Sequence, residues 1–253
     1  MDRSRAACLF LVVALLATGV LNGALGQERP LSTLYRQGDA LLERHVEGGR
    51  VDYAALKQEP DTLRRLLRYV RRQDLRTLPP PHAKALLINA YNLAVIDAIV
   101  RHYPVDSPMD VDGFFTTKRY EVAGTKRSLD GIEALLFDRF PDPRLHFTLV
   151  CAAKSCPSLP DSTYRAARLD AQLDRVTREA LRSERFVDPV PSAETVRLSK
   201  ILKWYRSDFG REASSVVAYV NQYRSDPVPT SYTPKFRSYD WTLNDRSRQG
   251  GAR

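Results

Sequence analysis

Apolar residues recur at helical spacing through most of the chain. Leu31, Leu34, Leu41, Leu42 and Val46 fall on one face with charges between them, which predicts an amphipathic helix over Leu31–Val46 ended by Gly48-Gly49. Arg50–Tyr53 then reads as a short extended or turn segment. Asp61 is the expected N-cap of a helix over Thr62–Arg72 that buries Leu63, Leu66, Leu67 and Val70 and turns five arginines outward. After Pro79-Pro80-Pro81, read as a stiff connector, Ala83–Val100 is apolar on nearly every face. Such a segment predicts a buried central helix, here taken as too short and too polar to span a membrane.

Further along, alternation takes over. Phe114–Val122 and Lys126–Leu129, joined by Ala123-Gly124-Thr125, predict a β-hairpin. Ser128 is placed to cap a helix over Leu129–Phe137. Leu145–Cys151 has the alternation of a strand and leads into a loop over Ala152–Pro160. Helices are expected at Leu169–Leu181, at Lys200–Phe209 capped by Ser199, and at Ser214–Tyr223, with a short strand at Thr195–Leu198. No internal repeat or boundary emerges. The expected fold is α+β, a single helix-rich domain over residues 27–245 with a hairpin and a few short strands, followed by a disordered tail from Arg246.

The first residues read differently. Arg3 and Arg5 precede an apolar run, Ala6–Val20, and Ala24-Leu25-Gly26 offers small residues for cleavage near Gly26. Residues 1–26 therefore look like a secretory signal peptide, which places the mature chain in the periplasm or outside the cell. Removing them leaves the chain one unit less positive than its formal +9. A basic exported protein is compatible with an anionic surface as partner, while export argues against nucleic acid. No cofactor signature is present.

Export changes the meaning of the cysteines. Only Cys151 and Cys156 remain after cleavage, and an oxidising compartment makes them a plausible disulfide. Two other readings stand beside it. Lys154 near a reduced Cys151 would favour thiolate, with His146 as base. On a regular strand, however, positions 146 and 151 point to opposite faces. His146, Cys151 and Cys156 as metal ligands lack the spacing of paired-cysteine zinc sites.

Six ordered segments resemble the DUF547 family, a domain of unknown function: Leu87–Asn92, Phe114-Phe115 with Tyr120, Ser128–Glu133, Asp142–Phe147, Cys151–Pro157 and Leu198–Tyr205. They span a core of about residues 80–210. Val51–Tyr53 ahead and Tyr239–Asp245 behind resemble flanks of exported bacterial members. The resemblance singles out Asn89, Tyr91, Asn92, Glu133, Arg144, His146, Cys151, Ser155 and Cys156. Where the family often has a histidine after the helix glutamate, this chain has Ala134, which weakens any Glu-His mechanism here.

Two functions follow. One is a non-catalytic envelope module, stapled by Cys151–Cys156, whose polar pocket binds a ligand or protein partner through residues such as Asn89, Tyr91, Arg144, Lys154 and Ser155. The other is a thiol-dependent hydrolase or transferase acting on an acyl or amide bond. In it Cys151 attacks, His146 is the base, Asn89 or Asn92 donates to the oxyanion, and Glu133 orients Arg144 or His146.

Overall fold

The computed structural model describes residues 31–247. The expected signal peptide and residues 248–253 of the expected tail lie outside them. Helix α1 (31–45) runs into a two-residue hairpin, β1 (Val46–Glu47) and β2 (Arg50–Val51), and then into α2 (Tyr53–Gln58) and α3 (Asp61–Arg71). The hairpin turn needs Gly49, which has φ +79° and packs so closely on Ser158 that a Cβ would meet it at 2.6 Å. The cap of α3 differs from expectation. Pro60 holds the N-cap position and Asp61 is the first helical residue, where its charge sits near the helix N-terminus.

Helix α4 (Pro80–His102) is the axis of the fold, with every residue from Ala85 to Val100 buried. Pro80 and Pro81 are not a connector. They start the helix, where a missing N–H costs nothing and the fixed φ is already helical. At 23 residues the helix is long and apolar enough to cross a membrane by length and composition, contrary to the expectation from sequence. Its apolar window is 94% buried inside the protein, so it serves as a core helix.

Around α4 pack α3, the hairpin β3 (Tyr120–Val122) and β4 (Thr125–Arg127), and α5 (Leu129–Arg139). The hairpin is tighter than expected, with Thr125 already paired to Val122. Its two turn residues, Ala123 and Gly124, both have positive φ, the requirement of the turn that matches strand twist. Ser128 caps α5 as expected, accepting from Gly131 N–H at 3.1 Å.

The segment expected to be a strand, Leu145–Cys151, is not one. Asp142 accepts the Arg144 N–H at 3.0 Å, Pro143 fixes φ, and a 3-10 helix forms over Pro143–Phe147. Beyond it, residues 148–150 pair with no strand among the described residues. The side-chain amide of Asn92 replaces one, donating to Thr148 O at 2.9 Å and accepting from Val150 N–H at 3.0 Å.

The last third contains α6 (Leu169–Arg182), a three-stranded sheet and three short helices. The sheet has order β5 (Val187–Val190), β6 (Thr195–Leu198), β7 (Thr233–Phe236), with β6 antiparallel to β5 and parallel to β7. The helix expected over Lys200–Phe209 is broken at Tyr205 into α7 (Lys200–Trp204) and α8 (Arg206–Phe209), and α9 is Val216–Asn221. The C-terminal strap, residues 239–245, crosses back over the protein. It accepts from Lys154 N–H through Thr242 O at 2.8 Å and from Val51 N–H through Asn244 O at 3.0 Å. Arg246, the first residue of the expected tail, is among the described residues, and its guanidinium pairs with Asp52 and reaches Glu47 at 3.8 Å. Buried apolar residues from Leu31 to Leu243 form one contiguous cluster, so the fold is a single α+β core.

Candidate functional site

One cavity of about 320 Å³ opens where α4, α5, the loop after the 3-10 helix, α7 and the C-terminal strap meet. Helix α4 presents Tyr91, α5 presents Asp130 and Glu133, and the 3-10 helix presents His146. The strap adds Tyr239 and Trp241. Cys151 and Cys156 form part of the wall, their sulfurs at disulfide-bonding distance with Cα atoms 6.1 Å apart. The Tyr239 hydroxyl lies 3.1 Å from Cys151 Sγ and 3.2 Å from Cys156 Sγ.

The backbone that carries these sulfurs is bent sharply. Ala152 is fully buried with φ +63°, a left-handed conformation that costs a non-glycine residue about 1–2 kcal/mol. The surrounding structure holds it there. Ala152 O accepts from Asn244 N–H at 2.9 Å, and Ala153 bridges to Leu243. Cys156 is buried and Cys151 is partly exposed, so the pair presents one sulfur to the cavity more than the other.

His146 is sandwiched between Phe137 and Tyr205, with ring centroids 4.3 and 3.8 Å away. Its Nε2 lies 2.8 Å from Asp208 Oδ2. Burial outweighs that carboxylate and lowers its pKa to about 4, so the imidazole is neutral near pH 7 and donates Nε2–H to Asp208. Glu133 accepts the Tyr205 hydroxyl at 3.0 Å, and burial raises its pKa. Burial likewise raises the phenols of Tyr91, Tyr205 and Tyr239, which stay protonated donors.

The structure therefore brings together Tyr91, Glu133, His146, Cys151 and Cys156. The parity argument that separated His146 from Cys151 fails because no strand joins them. Other sequence candidates lie elsewhere. Asn89 does for Tyr164 what Asn92 does for the 148–150 loop, donating to its carbonyl at 2.8 Å and accepting its N–H at 2.9 Å. Both amides are committed to backbone, which leaves neither aimed at an oxyanion in the cavity. Glu133 orients neither Arg144 nor His146, since Tyr205 takes its hydrogen bond and Asp208 takes that of His146. Arg144 is spent on Asp142, Asp170 and Asp174 at 2.9, 2.8 and 2.7 Å, tying the 3-10 helix to α6. Lys154 and Ser155 line a separate polar depression with Arg50 and Arg185 on the other side of the cysteine loop. Among the described residues no group of three or more His, Cys, Asp or Glu side chains is placed to hold a metal ion.

Sequence reasoning missed the aromatic walls: Phe115, Trp204, Tyr205, Tyr239 and Trp241. Trp204, Tyr239 and Trp241 form a cluster with centroids 4.6–6.2 Å apart. The one available signal was the density of aromatics in Trp204-Tyr205 and Tyr239–Trp241, segments already noted for their resemblance.

A second, larger groove of about 620 Å³ lies between α3, the end of α4 and β3. Its lining includes Arg64, Arg68, Arg71, Arg101, Lys118 and Arg119. Three of these are ion-paired, to Asp61, Glu121 and Asp97 at 3.3, 3.0 and 2.7 Å.

Neither a curated protein nor a solved structure matches the chain. The cavity's α4, α5 and cysteine-loop walls fall within residues 75–181, whereas α7 and the strap lie beyond them. Those residues, 75–181, match the family model described as "Protein of unknown function, DUF547", so this stretch of the chain carries a DUF547 domain.

Proposed function

We propose that this is an exported cell-envelope module that binds a small ligand, or one group of a larger partner, in the aromatic cavity walled by Cys151 and Cys156. The observation that carries the reading is the pairing of the two sulfurs within a concave, aromatic-lined site. A wall cross-linked in this way and braced by the strap is a pre-organised surface, and rigid apolar concavities with a few placed polar groups are what ligand sites require. The apolar N-terminal run and a cysteine pair suited to oxidising surroundings support export. Attack by Cys151 as a thiolate would first require reduction of the pair, and both asparagine amides are already spent on backbone.

Thiol titration of the purified, unreduced protein tests the choice. For the mature chain, which lacks Cys8, the module reading expects no thiol reactive toward an aromatic disulfide reagent in the native state, and two after denaturation with reductant. Two thiols reactive without reductant would overturn it in favour of thiol chemistry at Cys151.

A further inference from the structure

We infer that the ligand of the aromatic cavity is an organic cation, a substituted ammonium group. This rests on reading the cavity as a ligand site and names the chemistry that the site selects. The chain carries 39 Lys and Arg and a formal charge of +9, yet no Lys or Arg is among the residues lining this cavity. Its charged lining is Asp130 and Glu133, one helical turn apart on α5. Among the described residues neither carboxylate is in an ion pair, in contrast to Asp97, Asp142, Asp174 and Asp188 elsewhere. Glu133 receives only a neutral hydroxyl, from Tyr205.

The remaining titratable side chains of the lining supply no positive charge. His146 is committed to Asp208 and neutral, and the tyrosines are protonated. An anion would meet two carboxylates and no cation. A neutral apolar ligand would desolvate Glu133 further without pairing it, at a cost in binding. A cation would satisfy both the carboxylates and the rings. Trp204 is 46% exposed despite its size, and with Tyr239 and Trp241 it frames the mouth of the cavity with π faces. Such faces attract cations, most strongly when the site is desolvated. A weakly hydrated, alkylated ammonium fits this mainly apolar lining better than a strongly hydrated primary one.

The two tryptophans of the chain are Trp204 and Trp241, both in the cavity, so intrinsic fluorescence reports on the site directly. The full-length oxidised protein is titrated with choline and with its neutral carbon isostere, 3,3-dimethyl-1-butanol. Choline should quench or shift the emission and bind at least about tenfold tighter than the isostere. Glu133→Gln, which preserves shape and can still accept from Tyr205, should reduce that preference to about twofold or less, by weakening choline binding without weakening that of the isostere. Its melting curve checks that it is folded, and Asp130→Asn, at the exposed rim, provides a second variant. Equal binding of choline and isostere to the parent protein would overturn the cation assignment and leave the cavity reading standing. Absence of any response to either compound would overturn both.

Discussion

The aromatic cavity and the basic groove invite opposite readings from the same net charge. The groove is the larger, and its arginines are what a basic protein leads one to look for. Yet Arg101, 67% exposed, reaches down to the buried Asp97, while Arg64 and Arg71 keep side-chain exposures of 60 and 61% and pair with acids at the surface. Exposed pairs of this kind contribute about 0–1 kcal/mol and are screened by salt. The cavity is smaller and carries little charge. Apart from Asp130 at its rim, its main polar side chains are withdrawn from water and meet partners supplied by distant parts of the chain. Glu133 meets Tyr205, His146 meets Asp208, and the sulfurs meet Tyr239. A site is marked by polar groups held in a dry, concave place, more than by the number of charges on a surface.

The largest expected effect is at Asn92, which supports the cavity without lining it. Asn92→Ala leaves Thr148 C=O and Val150 N–H buried without their partner. Each unsatisfied group costs about 1–3 kcal/mol, so a loss of about 4 kcal/mol is expected in urea unfolding. The loop between these groups carries Leu149 and leads to Cys151, so response to cavity ligands should fall with it. A loss below about 1 kcal/mol would mean the loop is held by something else, and the contrast between braced cavity and unbraced groove would fail.

The second effect is pH-dependent and belongs to His146. Its folded pKa is about 4, against 6.5 for the free side chain. As pH falls from 6.5 toward 4, the unfolded chain binds a proton that the folded chain refuses. Stability present above 6.5 is therefore lost across that window, by about 3 kcal/mol at 1.36 kcal/mol per unit. Glu133 works the other way, because burial raises its pKa and the folded carboxyl takes its proton at higher pH than the unfolded one. The measurement is thus a difference: stability against pH for the parent protein minus that for His146→Phe, which keeps the stacking with Phe137 and Tyr205. The parent should lose more between pH 6.5 and 4. Parallel curves would show that the imidazole is solvated, and the cavity would then be no drier than the groove.

What could be read from sequence divides along the same line. The α4 core helix was legible because sixteen consecutive buried residues leave a local, continuous signal. The hairpin was legible from Ala123-Gly124 between alternating segments, and the resemblance to DUF547 from ordered short motifs. The basic groove was foreshadowed by the arginine face of α3. The strand expected at Leu145–Cys151 failed because Asp142 and Pro143 started a 3-10 turn and a single asparagine took the place of a neighbouring strand. Strands β5 and β7 were missed because each carries a proline, Pro189 and Pro234, tolerated at the sheet's edges. Moreover, β7 pairs in parallel with a strand more than 30 residues earlier, a contact with no local signature. The cavity was only half visible for the same reason. Tyr91, Glu133, His146 and the cysteines were singled out within their motifs, whereas Trp204, Tyr239 and Trp241, though in noted segments, reach the site only through long-range packing of α7 and the strap.

The smallest expected effect is the one that tests the comparison from the side of the groove. Arg68 lies in the groove on the outer face of α3, is exposed, and forms no ion pair among the described residues. Arg68→Ala removes one charge and a solvated stem from a helix position where alanine has the higher propensity. Stability should change by no more than about 0.5 kcal/mol in either direction, and the fluorescence response of Trp204 and Trp241 to choline should be unaltered. Arg68 is not among the residues that line the cavity, and salt screens an exposed charge within about 8 Å at physiological ionic strength. A loss of 2 kcal/mol or more would require a buried partner for Arg68, because exposed charges do not supply that much. In that event the groove would have to be counted, with the cavity, among the parts of the molecule whose polar groups are held for a purpose.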